Sequence, residues 1–409
     1  MTRDVWSVLI RTNPRVLTAT GEPSWWKEWH EAGVDPGPDL DRLRPAAVKL
    51  AGVTAEEWRA LSAAAAALDV TARQGSQGRA EPVLLAGRRR DLTALTEALA
   101  SAGCEDLGHA LKAVLEAAER REFRLRLNGR EVDLARRPFL MGVLNVTPDS
   151  FSDGGRFFDR QAAIAHGLAL STAGADLIDV GGESTRPGAE PVEAADELNR
   201  VLPVVSALAE ADAAPVSIDT SKAEVAAECV RAGAALVNDV TALFGDPDMA
   251  ETLADLEVPV CVMHMQGSPR TMQIDPRYDD LMGEITLFLR RSLAHGTACG
   301  IEEEQFLVDP GIGFGKAVSH NLAILNRLPQ LRSLGRPIVV GVSRKSYIGK
   351  VLASAGRDRP VEGRLLGTAA SVALAVARGA QVLRVHEVEE MRDVVRLVHA
   401  IQEEEAVSH

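Results

Sequence analysis

An excess of positive charge is missing from this chain, and its one run of three basic residues, Arg88-Arg89-Arg90, reads as a solvated face. Its 409 residues carry a formal net charge of −13. That balance argues against nucleic-acid binding, because neutralising phosphates takes clustered lysine and arginine. A small anionic substrate is still open to it if one site is locally basic. Cysteine is also scarce: Cys104, Cys229, Cys261 and Cys299 stand far apart with no C-x-x-C pair. This excludes a zinc site or a disulfide frame and reads as reduced core thiols in a cytosolic protein. The opening Met1-Thr-Arg-Asp-Val-Trp6 has no apolar segment behind it, and no run approaches a membrane span. The expectation is a soluble, cytoplasmic chain. Tryptophan is absent after Trp58; all five, Trp6, Trp25, Trp26, Trp29 and Trp58, fall in the first part of the chain.

What is there points to two domains. A chain of 409 residues exceeds one ordinary core, and a hydrophobic share of 46% is ample for burial. Over residues 1–120 the pattern predicts strands at Arg15–Ala19, Ala46–Val53, Val70–Gln74 and Pro82–Ala86. Helices are expected at Ser24–Ala32, Ala55–Leu68 and Leu92–Ala102, with a further one at Ala110–Arg121 leading out. Thr54 and Glu57 make a capping box for the second of these. The result is a small α+β domain in which the tryptophans serve as packing. Around Asn128-Gly129, residues 121–137 read as a β-hairpin capping the barrel base.

From 138 to 402 one pattern repeats: a short β-branched run, a polar or glycine-rich loop, then an amphipathic helix. The runs are Phe139–Val146, Ala175–Gly181, Pro215–Thr220, Leu236–Val240, Pro259–Met265, Phe306–Pro310, Pro337–Val342 and Val382–His386. Eight such units predict a (β/α)8 TIM barrel, with a frayed tail over 403–409. Polar residues gather where each run ends: Asn145, Asp179, Asp219, Asn238 with Asp239, His264, Asp309, Ser343-Arg344-Lys345, and Arg384 with His386. Any one of these acids could simply cap the next helix, as Asp219 could before Thr220-Ser221, and Asp179 and Asp239 read as structural. In a barrel, however, all eight ends meet at one face. Carboxylates and a carboxamide there suit a flat, nitrogen-rich heterocycle. Lys345, Arg384 and His386 supply charge for an anion, and Met263 and Phe314 offer faces for a ring to stack on.

The stretches themselves are similar to a known family. Asn145-Val-Thr-Pro-Asp-Ser-Phe-Ser-Asp153, Gly182-Glu-Ser-Thr-Arg-Pro-Gly188, Ser217-Ile-Asp-Thr-Ser221 and Asn238-Asp-Val240 carry the likeness. So do Met263-His-Met-Gln-Gly-Ser-Pro269, Asp309-Pro-Gly-Ile-Gly-Phe-Gly315, Ser343-Arg-Lys345 and Arg384-Val-His386. In this order they resemble the dihydropteroate synthase family of pterin-binding barrels, over about two-thirds of the chain.

The resemblance implies a folate-biosynthesis transferase. It would condense 6-hydroxymethyl-7,8-dihydropterin diphosphate with p-aminobenzoate, giving 7,8-dihydropteroate and pyrophosphate. Asp219, Asn238, Asp309 and Lys345 would hold the pterin against Met263 and the stem of Arg384. Asn145, Thr185, Arg384 and His386 would meet the diphosphate, with Mg2+ on Asn145. Asp219, Asp309, Lys345 and Arg384 would carry the catalysis. Phe151, Asp153, Thr185, Arg186 and Pro187 would close over p-aminobenzoate, whose carboxylate would meet Ser346; sulfonamides would compete there. A homodimer is implied by the same likeness.

Tyr347 and Glu387 depart slightly from the family pattern; the large departure is residues 1–120, which we expect to be an assembly or regulatory module. Two other readings stay in play. One is a methyltetrahydrofolate-dependent methyltransferase on the same barrel, which would have no diphosphate to expel. The other is a pterin-binding protein without catalysis.

Overall fold

The computed structural model describes residues 3–17, 46–75, 81–134, 136–147, 156–184, 190–268, 270–354 and 356–403. The expected helix at Ser24–Ala32 and the tail beyond 403 lie outside these residues. The chain divides into two units. One comprises Met1–Arg121 with Tyr278–Arg291 and Asn326–Gly335; the other comprises Glu122–Arg277, Ser292–Leu325 and Arg336–His409.

The first unit contains α1 (Arg3–Thr12), β1 (Arg15–Leu17), β2 (Ala46–Leu50), α2 (Ala55–Ala67), β3 (Val70–Gln74), β4 (Val83–Gly87), α3 (Arg89–Ser101) and α4 (Glu105–Glu119). The strands form one antiparallel sheet in the order β1-β2-β4-β3. Thr54 caps α2 as its spacing predicts, accepting from Glu57 N while the Glu57 carboxylate accepts from Thr54 N. Helix α1 was not anticipated, since its ten residues offer no capping signal. Helix α4 begins at Glu105, five residues before the expected start, because Leu107 and Leu111 already face the core. Val48, Leu50, Leu61, Leu85, Leu95, Leu99 and Leu111 fill that core.

Two arginines organise the same unit from within. Arg290 is buried and donates to the carbonyls of Leu9 (3.1 Å) and Ser333 (3.5 Å) and to that of Pro14. Arg15, also buried, holds both oxygens of Asp280 at 3.0 and 3.1 Å, and Lys49 adds a third cationic contact at 3.1 Å. Burial opposes ionisation of Asp280, but Arg15 and Lys49 overcome it and keep the carboxyl well below the ordinary carboxylate range.

In the second unit β5 (Arg124–Leu127) and β6 (Arg130–Asp133) pair as a hairpin around Asn128-Gly129. Strands β7 (Phe139–Asn145), β8 (Leu177–Gly181), β9 (Val216–Asp219), β10 (Ala234–Asp239), β11 (Val260–Met263), β12 (Phe306–Asp309), β13 (Val339–Gly341) and β14 (Val382–Val385) follow. They form one parallel sheet in the order β12-β11-β10-β9-β8-β7-β14-β13, and a parallel bridge from Val308 to Ile338 closes it. This is the eight-stranded (β/α)8 barrel.

Between the strands run α5 (Arg156–Ala173), α6 (Ala194–Glu210), α7 (Ala223–Arg231), α8 (Met249–Asp255), α9 (Leu281–Ala298), α10 (Val318–Asn326), α11 (Ser346–Val351), α12 (Leu365–Ala377) and α13 (Val388–Glu403). After β12 the amphipathic helix is split into α10 and a 3-10 segment, Leu328–Leu334. Pro329 cannot donate within a continuous α-helix, so the chain tightens there. Leu125, Leu127 and Leu134 pack with Met141, Leu177, Leu236, Leu307, Val339 and Val382, most of them at or next to the strands' first residues. The hairpin therefore plugs the amino end of the barrel and leaves the carboxyl end for chemistry.

Candidate active site

Strand register brings the predicted polar residues to one level. Asn145 lies beside Gly181, Gly181 beside Asp219, and Asp219 beside Asn238, while Met263 lies beside Asp309. These are the carboxyl ends of β7 to β12, where side chains with alternate spacing point into the barrel mouth.

At its centre is an arginine between two acids. Arg384 donates from Nε to Asp179 Oδ2 (2.6 Å) and from Nη2 to Asp219 Oδ2 (2.8 Å). Asp179 is fully buried and also accepts from Ser217 Oγ (2.6 Å) and Asn238 Nδ2 (3.1 Å). The sequence reading left Asp179 as structural, yet it ties Arg384 and Asn238 into one network. Asp219 does not cap α7: the N–H of Ala223 is taken by Asp246 Oδ2 at 2.9 Å. Asp219 is thereby left to the mouth. Asp239, by contrast, accepts from Thr241 N, Thr241 Oγ1 and Leu243 N, so its work is to hold the turn after β10.

On the opposite side Asp309 Oδ1 accepts from Gly311 N at 2.6 Å. Gly311 has φ +68°, and a Cβ there would lie 1.9 Å from the His264 carbonyl, so only glycine lets this loop fold back onto β11. Met263, buried, ends that strand. Phe314 presents its ring to Lys345, whose Nζ is 4.3 Å from the ring centroid. Lys316 was not singled out from the sequence. It is buried and donates to His264 Nδ1 (2.9 Å), the His264 carbonyl (3.3 Å) and the Phe314 carbonyl (2.8 Å). An ammonium can only donate, so His264 Nδ1 accepts, and burial beside Lys316 keeps that ring neutral. No signal but its place in the Asp309–Lys316 stretch could have marked this lysine.

The electrostatics follow from burial. Desolvation raises Asp219 to about 7 despite Arg384, and raises Asp309 to about 6 despite the Gly311 N–H. It lowers Lys345 to about 8, with Arg384 adding to the effect, and Lys316 to about 7. Three acids (Asp179, Asp219, Asp309) thus face three cations (Lys316, Lys345, Arg384), several of them poised near neutrality. Beside Asp219 opens a cavity of about 240 Å3 lined by Glu183, Ser184, Thr220, Val240 and Arg270 among others. Its wall is stiffened by Lys222, which bridges Glu183 and the buried Glu197.

Of the other predicted residues, Asn145 is half-buried at the end of β7, His386 follows β14, and Ser346 is exposed at the first residue of α11. Phe151, Asp153, Thr185, Arg186 and Pro187 lie outside the described residues. Among the described residues no three His, Cys, Asp or Glu side chains group to hold a metal ion.

A closed barrel with a charged, partly desolvated mouth at its carboxyl end places the chain among the (β/α)8 barrels whose sites lie at that face. The pattern shared by the family described as pterin binding enzyme matches residues 141–386. The chain is 45% identical over 272 residues to the dihydropteroate synthase of Escherichia coli (strain K12), covering 66% of this chain and 94% of that one. Among solved structures it is similar to Yersinia pestis dihydropteroate synthase in a sulfonamide drug complex, with TM-score 0.64, 44% identity, and 69% and 100% of the two chains covered. It is equally similar to Xanthomonas albilineans dihydropteroate synthase with 4-aminobenzoic acid, with TM-score 0.64, 45% identity and coverage of 69% and 98%. The chain belongs to the dihydropteroate synthase family of pterin-binding enzymes.

Proposed function

We propose that the barrel condenses 6-hydroxymethyl-7,8-dihydropterin diphosphate with p-aminobenzoate, releasing pyrophosphate and forming 7,8-dihydropteroate. The observation that carries this reading is the Asp179–Arg384–Asp219 bridge, anchored on the fully buried Asp179, at the same end of the barrel as Asp309 and Lys345. Asp309 and Asn238 present acceptor and mixed donor–acceptor edges to the pterin, while Met263 and the stem of Arg384 pack on its ring. As the bond between the methylene carbon and the diphosphate oxygen breaks, positive charge develops on the pterin, and Asp219 and Asp309 are positioned to stabilise it. The neutral aniline nitrogen then bonds to that carbon and gives up a proton. Arg384, Lys345 and His386 draw the departing charge, and Ser346 with Phe314 addresses p-aminobenzoate. By family likeness Phe151, Asp153, Thr185, Arg186 and Pro187 would act on p-aminobenzoate, for which sulfonamides would compete. No diphosphate would leave in a methyltransferase, and so cationic a rim would be idle.

Mg2+ fits this donor set. With no cluster of protein acids able to hold an ion among the described residues, a hard cation would rest on the substrate's phosphates with Asn145 as its protein ligand. When bound it supplies Lewis-acid stabilisation of the pyrophosphate. The test is incorporation of p-aminobenzoate from the pterin diphosphate, with and without Mg2+, across pH. Turnover should rise between pH 6 and 7 as Asp309 and Asp219 ionise, and fall above about 8 as Lys345 loses its proton. Lys345→Arg, whose charge persists, should remove the alkaline fall and keep the acidic rise. No incorporation at any pH would end the reading.

The partners are small molecules, with no nucleic acid. No helix among the described residues is long and apolar enough to cross a membrane. The four cysteines are free thiols, which fits a reducing cytoplasm. A homodimer is favoured by the apolar side chains left open on adjacent helices: Leu366 (82% exposed) on α12, and Leu397 (64%) and Ile401 (67%) on α13. Leu366→Glu should convert a dimer to monomer by light scattering, and a monomeric parent protein would refute the assignment.

A further inference from the structure

Behind His386 lies a hydrogen-bond chain that none of the roles above uses. Ser343 Oγ is 3.2 Å from Glu387 Oε2, 2.9 Å from His386 Nδ1 and 3.2 Å from the His386 backbone nitrogen. A hydroxyl has one hydrogen to give and two lone pairs to offer. The carboxylate of Glu387 can only accept, so the hydrogen goes there. Were it given to Nδ1 instead, two oxygens would face each other with nothing between them. The lone pairs of Oγ then take the backbone N–H and the Nδ1–H of His386, which places the ring proton on Nδ1.

The far end of the chain is fixed. Glu387 Oε1 is gripped by Nε and Nη2 of Arg344. Arg344 sits in a left-handed conformation, φ +58°, pinned by Thr368 Oγ1 on its N–H (3.1 Å) and by Arg364 Nη1 on its carbonyl (2.8 Å). Ser343 is 6% exposed, so little water competes for its hydroxyl. A carboxylate is thus linked through a buried hydroxyl to one ring nitrogen of a residue at the rim.

We propose that Glu387, acting through Ser343, is a positioning residue that keeps the Nδ1–H of His386 on Ser343, so that the ring takes its second proton from solvent at Nε2 and, as imidazolium, donates from Nε2 to the departing pyrophosphate. This rests on the reaction proposed above. Two measurements separate the relay from that reaction. In full-length protein labelled with 15N-histidine, two-bond proton–nitrogen spectra, assigned with His386→Gln, should show His386 protonated on Nδ1. Ser343→Ala should shift it toward the Nε2–H form, and Ser343→Thr should restore it.

In the condensation assay Ser343→Ala and Glu387→Gln should lower kcat roughly tenfold or more, with KM for p-aminobenzoate within about twofold and weaker inhibition by pyrophosphate. Glu387→Asp should recover part of the loss. An Nε2–H His386 in the parent protein, or an unchanged kcat in Ser343→Ala, would overturn the proposal. A parent protein that forms no dihydropteroate would overturn the reaction beneath it, whatever the spectra show.

Discussion

Asp309→Asn should lower kcat/KM for the pterin diphosphate by roughly 100- to 1,000-fold, the scale of removing one preorganised electrostatic partner from a dry site. The amide keeps an oxygen for the Gly311 N–H, which Asp309 Oδ1 now receives at 2.6 Å, so the loop before Phe314 should stay in place. What disappears is the negative charge. Burial already holds that carboxyl at about 6, so the charge is costly to maintain and is retained at neutral pH for a purpose. Lys345→Ala should be comparably severe, because it takes away the cation over the Phe314 ring and leaves Asp309 with less to balance it. Steady-state kinetics on both variants, alongside circular dichroism to verify the fold, is the check. A loss below about tenfold in either would remove that residue from the catalytic set.

Arg290→Met should be the most destabilising single change away from the mouth. Its guanidinium donates to backbone carbonyls of Leu9, Pro14 and Ser333 with 2% of the residue exposed. Methionine fills much of the volume and none of the hydrogen bonds, leaving those carbonyls buried without their donor. A loss on the order of 3 kcal/mol is expected, read as a lower urea midpoint. An unchanged midpoint would mean that water reaches these carbonyls freely. The same arrangement recasts the expected assembly or regulatory role of the first 120 residues. Arg15, Lys49, Leu9 and Pro14 supply partners to Asp280 and Arg290, so the early chain is a structural component of its unit whatever else it does.

The barrel was legible because its strands are short apolar runs, each followed by a polar or glycine-rich loop and an amphipathic helix, a repeat that local sequence carries. The polar set at the mouth was legible for the same reason: Asp219, Asn238 and Asp309 each lie at or next to a strand end. Asp179 keeps the structural role read for it, but its partners were not legible, since nothing local distinguishes an acid that caps a helix from one that reaches across to Arg384. Lys316 was passed over because its partners, His264 and Phe314, are set by the loop's fold and not by spacing. Helix α1 and the 3-10 turn at Leu328–Leu334 escaped because one lacks a capping signal and the other turns on a single proline. The relay through Ser343 could not be seen at all: it joins residues 44 positions apart through a hydroxyl.

The first unit is completed only by Tyr278–Arg291 and Asn326–Gly335. At roughly 5–20 residues per second, a ribosome takes on the order of ten to forty seconds to travel from Arg121 to Gly335. Until residue 280 is made Arg15 and Lys49 have no Asp280 to meet, and until residue 334 the apolar face of α4 has no 3-10 segment to cover it. What is synthesised first is therefore finished late, and a nascent chain stalled before residue 335 would be the form most in need of a chaperone.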